Sequence, residues 1–205
     1  MKPILLDFPL PILTPRILLR PPKPGDGVAL NAAILESYDN IRHTMPWVKE
    51  RPSWEESEEF VRQSAANWIL KKDEEPYLPL FVFAKKDNAL IGATGYHHII
   101  WEVPCLEVGY WIRNHYSGQG YMTEAVNAIT QYAIKQLQMK RVAITCDIDN
   151  TRSKKIPEKL GFQLEGTLKA NRVKPLTKEL SDTLIFAKYD VNDLPPLAVS
   201  WGTNE

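Results

Sequence analysis

Cysteine is nearly absent: only Cys105 and Cys146 occur among 205 residues. Both sit in apolar, strand-like runs. The chain therefore has no disulfide framework and no cysteine spacing that binds zinc; two buried reduced thiols are expected. Net charge is absent too. Lys plus Arg number 25 and Asp plus Glu number 25, which argues against general electrostatic capture of nucleic acid. No run approaches about 18 uninterrupted apolar residues, so no membrane span is expected. Residues 1–13 are apolar in places but carry Asp7 and three prolines, too interrupted for a signal peptide. No internal repeat and no low-complexity linker occurs. A cytoplasmic location is the default expectation.

What remains is an ordinary globular composition, 44% hydrophobic and 24% charged, of a length that suits one domain. The domain is expected to span residues 1–205, with a core over about residues 12–191 and an irregular tail over 193–205. Apolar spacing reads as a short β-rich run at Arg16–Arg20 and a helix over Asp26–Glu36. A stronger helix starts at Ser53, where Ser53 and Glu56 form a capping box. Strands follow over Tyr77–Lys85, Ala89–Ile100 and Cys105–Ile112. The next helix is the clearest: Met122, Ala125, Val126, Ile129, Ala133 and Leu137 form one stripe, with Glu124, Asn127, Gln131 and Lys135 opposite. Arg141–Cys146 reads as a strand and Asn150–Leu160 as a short helix stopped by Gly161. Pro157 implies that this helix starts near Ser153 or bends. Phe162–Leu168 and Leu184–Val191 close the order βααβββαβαββ, which implies a mixed sheet with helices on both faces.

Three features carry chemistry. Between the 105–112 strand and the clearest helix runs His115-Tyr116-Ser117-Gly118-Gln119-Gly120-Tyr121-Met122-Thr123. Two glycines let the backbone turn sharply, and the helix start offers unpaired N–H groups and a positive dipole end, a site for phosphate. Taken alone, such a loop is a simple turn as often as a phosphate site. It is not a P-loop, since no Gly-Lys-Ser/Thr follows, and it lacks the third glycine of a dinucleotide fingerprint. The second feature is Asn150 with Ser153 at a helix start, where capping is the competing role. The third is Glu107, which shares a strand face with Gly109 and Trp111. Glutamate is disfavoured in strands. It is either solvated or projects into a cleft, where partial burial would raise its pKa toward that of a useful base.

In order and spacing these motifs resemble the GNAT superfamily of N-acetyltransferases, and within it the RimJ and RimL type branch. The resemblance rests on Glu107-x-Gly109-Tyr110-Trp111-Ile112, on Gly118-x-Gly120-Tyr121-Met122-Thr123-Glu124-Ala125, on Asn150-x-x-Ser153, and on Glu158-Lys159-Leu160-Gly161-Phe162 with Glu165-Gly166. It covers roughly residues 12–191. His115 stands where the family usually has Arg or Gln. The implied fold is a mostly antiparallel sheet of about seven strands, with a V-shaped splay between the fourth and fifth (105–112 and 141–147). The implied co-substrate is acetyl-CoA, with no metal. Its diphosphate would lie on residues 117–123 and its pantetheine in the splay, against backbone N–H groups near Trp111 and Ile112. Tyr110, Asn150 and Ser153 complete the cofactor candidates.

The implied reaction is direct attack of a primary amine on the thioester in a ternary complex. Glu107 is the candidate base. Many relatives return a proton to the thiolate from a Tyr in the helix after the Asn motif; no Tyr lies between Asn150 and Gly161, which leaves Ser153. Some relatives carry a Glu shortly after Glu165-Gly166, where this chain reads Lys169–Val173 without a carboxylate. A ping-pong acyl-cysteine is discounted, since neither cysteine has a neighbouring His or helix start. The acceptor is a protein N-terminal α-amine of ribosomal-protein type or a small-molecule amine, bound by a monomer or homodimer. Trp47, Tyr96, His97 and Trp101 are acceptor-side candidates, although aromatics are more often core than site. His97 and His98 alternate across a strand, so at most one is expected to face a given cleft. The competing readings are a non-catalytic acyl-CoA-binding module on the same fold and another nucleotide-binding enzyme.

Overall fold

The computed structural model describes residues 2–71 and 77–202. Nine strands form one sheet: β1 (Ile12–Leu13), β2 (Ile17–Arg20), β3 (Leu78–Ala84), β4 (Ala89–Ile100), β5 (Cys105–Ile112), β6 (Arg141–Asp147), β7 (Gln163–Val173), β8 (Leu180–Lys188) and β9 (Ser200–Trp201). Their spatial order is β7-β8-β6-β5-β4-β3-β2-β1-β9. Among the described residues four α-helices complete the fold: α1 (Gly27–Ile41), α2 (Trp54–Leu70), α3 (Tyr121–Lys135) and α4 (Thr151–Lys159). The expected seven strands become nine because β1 and β9 are only two residues each, too short to carry a period. Antiparallel pairing makes them strands, with Ile12 opposite both Leu19 and Trp201. The tail is thus ordered at Ser200–Trp201 rather than wholly irregular; residues 203–205 lie outside the described residues.

β2, β3, β4 and β5 form an antiparallel meander. Among the described residues only β5 and β6 run parallel, and they pair only at Cys105–Arg141, Leu106–Val142 and Glu107–Ala143. Beyond Glu107, β5 stays on β4 as far as Ile112, while β6 stays on β8 as far as Asp147. A wedge therefore opens between the two strands at the level of Glu107.

Each face of the sheet has its own apolar cluster. One joins the sheet to α3 and includes Leu106, Val108, Ile129 and Tyr132; the other joins it to α1 and α2 through Leu30, Ile34, Val61, Phe81 and Phe83. The α3 stripe from Met122 to Leu137 is buried as its spacing predicts, each large aliphatic contributing about 1.5–3 kcal/mol. The opposite, polar face of α3 is exposed at Lys135 but not along its whole length. Glu124 and Asn127 are buried, because segments distant in sequence cover them: Glu124 accepts from the Thr14 hydroxyl and Arg16, and the Asn127 amide donates to the Pro195 carbonyl.

The capping box forms as written in the sequence. Glu56 N–H donates to Ser53 Oγ at 3.1 Å, and Ser53 N–H donates to the Glu56 carboxylate at 2.7 Å. Ser53→Ala is expected to lower unfolding free energy by about 1 kcal/mol in urea titration; an unchanged midpoint would show that α2 is held by packing alone.

Candidate functional site

A cavity of about 1150 Å³ opens beside the wedge. Glu107, Tyr110 and Trp111 line it from β5, and Asn150 and Ser153 from the start of α4. The α1–α2 connection, including Met45 and Trp47, and the end of β7 with the turn after it, including Arg172 and Lys174, form its outer walls. Glu107 is held by the Thr145 hydroxyl on β6, which donates to Oε1, while Oε2 lies 3.1 Å from His98 Nδ1.

His97 and His98 break the alternation expected of a strand. The register between β4 and β5 shifts between His97 and Ile100, and His98 has a left-handed φ of 49°. Such a bulge re-aims a side chain, and bulges are over-represented next to active sites. Here it brings both rings to one face of the cavity, with Nδ1 atoms 3.3 Å apart. Burial holds the His97 imidazole below its usual pKa, with the Glu107 charge partly opposing that shift. The ring lies over Gly109, where a Cβ would come within 3.0 Å of His97 Nε2. Gly109 thus makes room for His97.

The other acceptor-side candidates divide. Trp47 stands at the cavity edge against Trp111, ring centroids 6.2 Å apart. Tyr96 points the opposite way, fully buried, its hydroxyl donating to the Ile129 carbonyl on α3. Next to His97 in an alternating strand, it belongs to the core. Trp101 stacks on Phe8 in the turn after β4, away from the cavity. The two cysteines are free, and burial pushes the Cys146 thiol up from its ordinary pKa, away from nucleophilic use.

The backbone of β5 corrects one expectation. Arg113 N–H donates to the Ile91 carbonyl on β4. By the two-residue repeat of an antiparallel ladder, Trp111 and Gly109 also turn their backbone groups to β4. Tyr110 and Ile112 turn theirs into the wedge.

At α4, Asn150 caps the helix, its side chain accepting from Ser153 N–H at 3.0 Å. The helix starts at Thr151 and carries Pro157 inside it. Proline has no N–H for the carbonyl four residues back, which is that of Ser153. The Tyr110 hydroxyl supplies the donor at 3.0 Å, and Ser153 Oγ donates to the same phenol oxygen at 3.1 Å. Burial pushes the Tyr110 phenol well above its ordinary pKa, so it keeps its proton for this bond. Tyr110→Phe is expected to destabilise the fold by about 1 kcal/mol by leaving a half-buried carbonyl without its donor. Pro157→Ala, which restores an N–H donor, should recover part of that loss in a double-mutant cycle; strictly additive changes would show the contacts to be independent.

The glycine loop lies outside the cavity, on the surface beyond Trp111. Gly118 and Gly120 have φ of 76° and 82°, and Gly120 is the N-cap of α3 without a side-chain cap. Among the described residues, no hydrogen-bond acceptor meets the N–H groups from Gly118 to Thr123. Arg16 braces the loop: its guanidinium donates to the Gln119 carbonyl at 3.0 Å, pairs with Glu124 and lies over the Tyr121 ring. Sequence reasoning missed Arg16 because it lies more than a hundred residues from the loop, and missed Thr145 because an inward hydroxyl on a strand leaves no pattern.

Three comparisons bear on this site. A model described as an acetyltransferase (GNAT) domain matches residues 16–163. The ribosomal-protein-serine acetyltransferase of Escherichia coli is 28% identical over 135 residues, 64% of this chain and 74% of the relative. Two Bacillus subtilis relatives match over less of their own length, 44% and 56%. Among solved structures, the microcin C7 self-immunity acetyltransferase in complex with acetyl-CoA and AMP superposes with a TM-score of 0.78 at 25% identity, over 86% of this chain and 93% of the other. The ribosomal L7/L12 α-N-protein acetyltransferase in complex with coenzyme A has the same fold, with a TM-score of 0.76 at 22% identity, over 86% and 95%.

Proposed function

The chain belongs to the GNAT acetyltransferase family, in its RimJ and RimL type branch, and on that premise we propose that it moves an acetyl group from acetyl-CoA to a primary amine. The observation that carries the reading is the meeting of three features: the wedge between β5 and β6, the cavity holding Glu107 and Ser153, and the unpaired N–H groups of the glycine loop at the outer end. Acetyl-CoA is the co-substrate, and related proteins have been solved with it or with coenzyme A. Its diphosphate rests on residues 117–123, where several N–H groups and the positive end of α3 meet it. Its pantetheine enters the wedge as an added strand edge, and the backbone groups of Tyr110 and Ile112 that face the gap meet its amides. The thioester then lies between Glu107 and Ser153.

Glu107 takes the proton of the incoming ammonium, directly or through a water, with Thr145 holding one oxygen so that the other faces the cavity. The neutral amine attacks the thioester carbonyl, the carbon–sulfur bond breaks, and the proton shed by the attacking nitrogen passes to the departing thiolate, giving the amide and the coenzyme A thiol. Ser153 redirects its one hydrogen from the Tyr110 phenol oxygen to that sulfur, a hydrogen bond that stabilises the thiolate as it departs. The acceptor is a peptide N-terminus or a small amine, admitted between the Met45–Trp47 segment and the end of β7. Its terminal group meets His97 and Trp47. No metal is needed for any step.

Thermal unfolding with coenzyme A, acetyl-CoA, ATP or NAD tests the ligand. Stabilisation by the first two is expected, about 2.7 kcal/mol at a hundredfold excess over Kd. Stabilisation by ATP or NAD alone would sink the reading.

A further inference from the structure

The bulge at His98 assembles more than a cleft wall. His97, His98 and Glu107 each place one ligand atom within 4.8 Å of the other two. The Nδ1 atoms are 3.3 Å apart, and His98 Nδ1 is 3.1 Å from Glu107 Oε2. A tetrahedral zinc ion with bonds of about 2.0–2.1 Å separates its donors by about 3.4 Å. Two of the three edges of such a face are already in place. Hydrogen bonding does not satisfy the trio equally well. One imidazole nitrogen carries either a proton or a lone pair, so His98 Nδ1 makes one good bond to one neighbour and leaves the other facing it. A cation satisfies all three lone pairs at once.

We propose that His97, His98 and Glu107 form a zinc-binding site that inhibits the enzyme by taking the catalytic carboxylate as a ligand. Three supports lie around it. The Thr145 hydroxyl holds the second Glu107 oxygen, the outer-shell hydrogen bond that orients a carboxylate ligand. The His97 ring is fixed over Gly109 by its Nε2 edge, which leaves Nδ1 turned toward His98. His98 is exposed and the group faces the cavity, so the ion has an entry path and an open fourth position for water or the incoming amine. Two imidazoles and one carboxylate suit zinc and cobalt and select against magnesium and calcium. The inhibition rests on the reading of Glu107 as base: an oxygen bonded to zinc no longer accepts the ammonium proton. Zinc should therefore lower kcat, as loss of the Glu107 base does, and leave the apparent KM for acetyl-CoA nearly unchanged.

The test uses metal-free full-length protein titrated with cobalt(II), followed by its visible d–d absorption, and with zinc(II) by calorimetry. One equivalent is expected to bind, giving a tetrahedral cobalt spectrum. His98→Ala and Glu107→Gln should each weaken binding by at least about tenfold, and Thr145→Val by about tenfold, as for the loss of an outer-shell partner. Circular dichroism checks that the variants fold. Wild-type affinity in both His98→Ala and Glu107→Gln, or no cobalt spectrum at one equivalent, would overturn the site. Zinc bound at one equivalent with no effect on turnover would overturn the inhibitory role and the reading of Glu107 as base. Loss of turnover in Glu107→Gln without any change in zinc binding would overturn the site and leave the base in place.

Discussion

Glu107→Gln is expected to lower kcat near pH 7 by about 10²–10⁴-fold, the usual range for a general base, while acetyl-CoA affinity stays within about twofold. The substitution keeps the shape of the side chain and lets the Thr145 hydroxyl donate to the amide oxygen as it does to Glu107. It removes only the site that takes a proton. The deficit should depend on pH with a definite sign. A free α-amine has a pKa of about 7.7–8.0, so at low pH nearly all acceptor is protonated and needs the base. As pH rises through that range the acceptor deprotonates in solution, and the gap between wild type and variant narrows. Turnover matching wild type across about pH 6–9 would remove Glu107 from the mechanism. A parallel loss of acetyl-CoA affinity would make it a binding group.

Gly120→Val is expected to weaken coenzyme A binding by well over tenfold with little loss of fold stability. The reason is conformational more than steric. A Cβ at Gly120 would meet only Arg16, 3.4 Å away, but φ there is 82°. A left-handed residue with a side chain costs about 1–2 kcal/mol, and a β-branched one is a marked outlier. The chain relieves that strain by turning the peptide at the N-terminus of α3, which swings aside the N–H groups from Gly118 to Thr123. Isothermal titration with coenzyme A measures the affinity, and thermal unfolding controls for folding. Gly120→Ala should fall between wild type and Gly120→Val. Wild-type affinity in a well-folded Gly120→Val protein would mean that the diphosphate is not held by this backbone.

What the sequence carries plainly is local and periodic. The strand at 105–112, the glycine loop, the stripe of α3 and the Ser53 cap each occupy fewer than twenty consecutive residues, and each appears where its pattern places it. The wedge was foreseen through a family resemblance; its extent is fixed by where β5 stays with β4 and β6 with β8, a matter of long-range pairing. Contacts between distant segments left no pattern to read. Arg16 and Glu124 meet across 108 residues, and their pairing turns a polar position of α3 into a buried one. The Tyr110–Ser153 contact spans 43 residues and follows from a donor that Pro157 lacks. The histidine pair was misjudged because strict alternation held until one residue, His98, took a left-handed φ. Tyr96 in β4 and Trp101 in the turn after it lie away from the cavity: aromatic character near a motif does not say which way a ring points.

The most direct test of the central claim is free-thiol release from acetyl-CoA, measured against a panel of N-terminal peptides and small primary amines, with the acetylated acceptor identified by mass spectrometry. The expected result is thiol release that depends on both substrates and yields one acetylated amine per thiol, with a peptide N-terminus or small amine as acceptor. Tight acetyl-CoA binding with no release above the buffer rate for any amine would contradict it and leave an acyl-CoA-binding module.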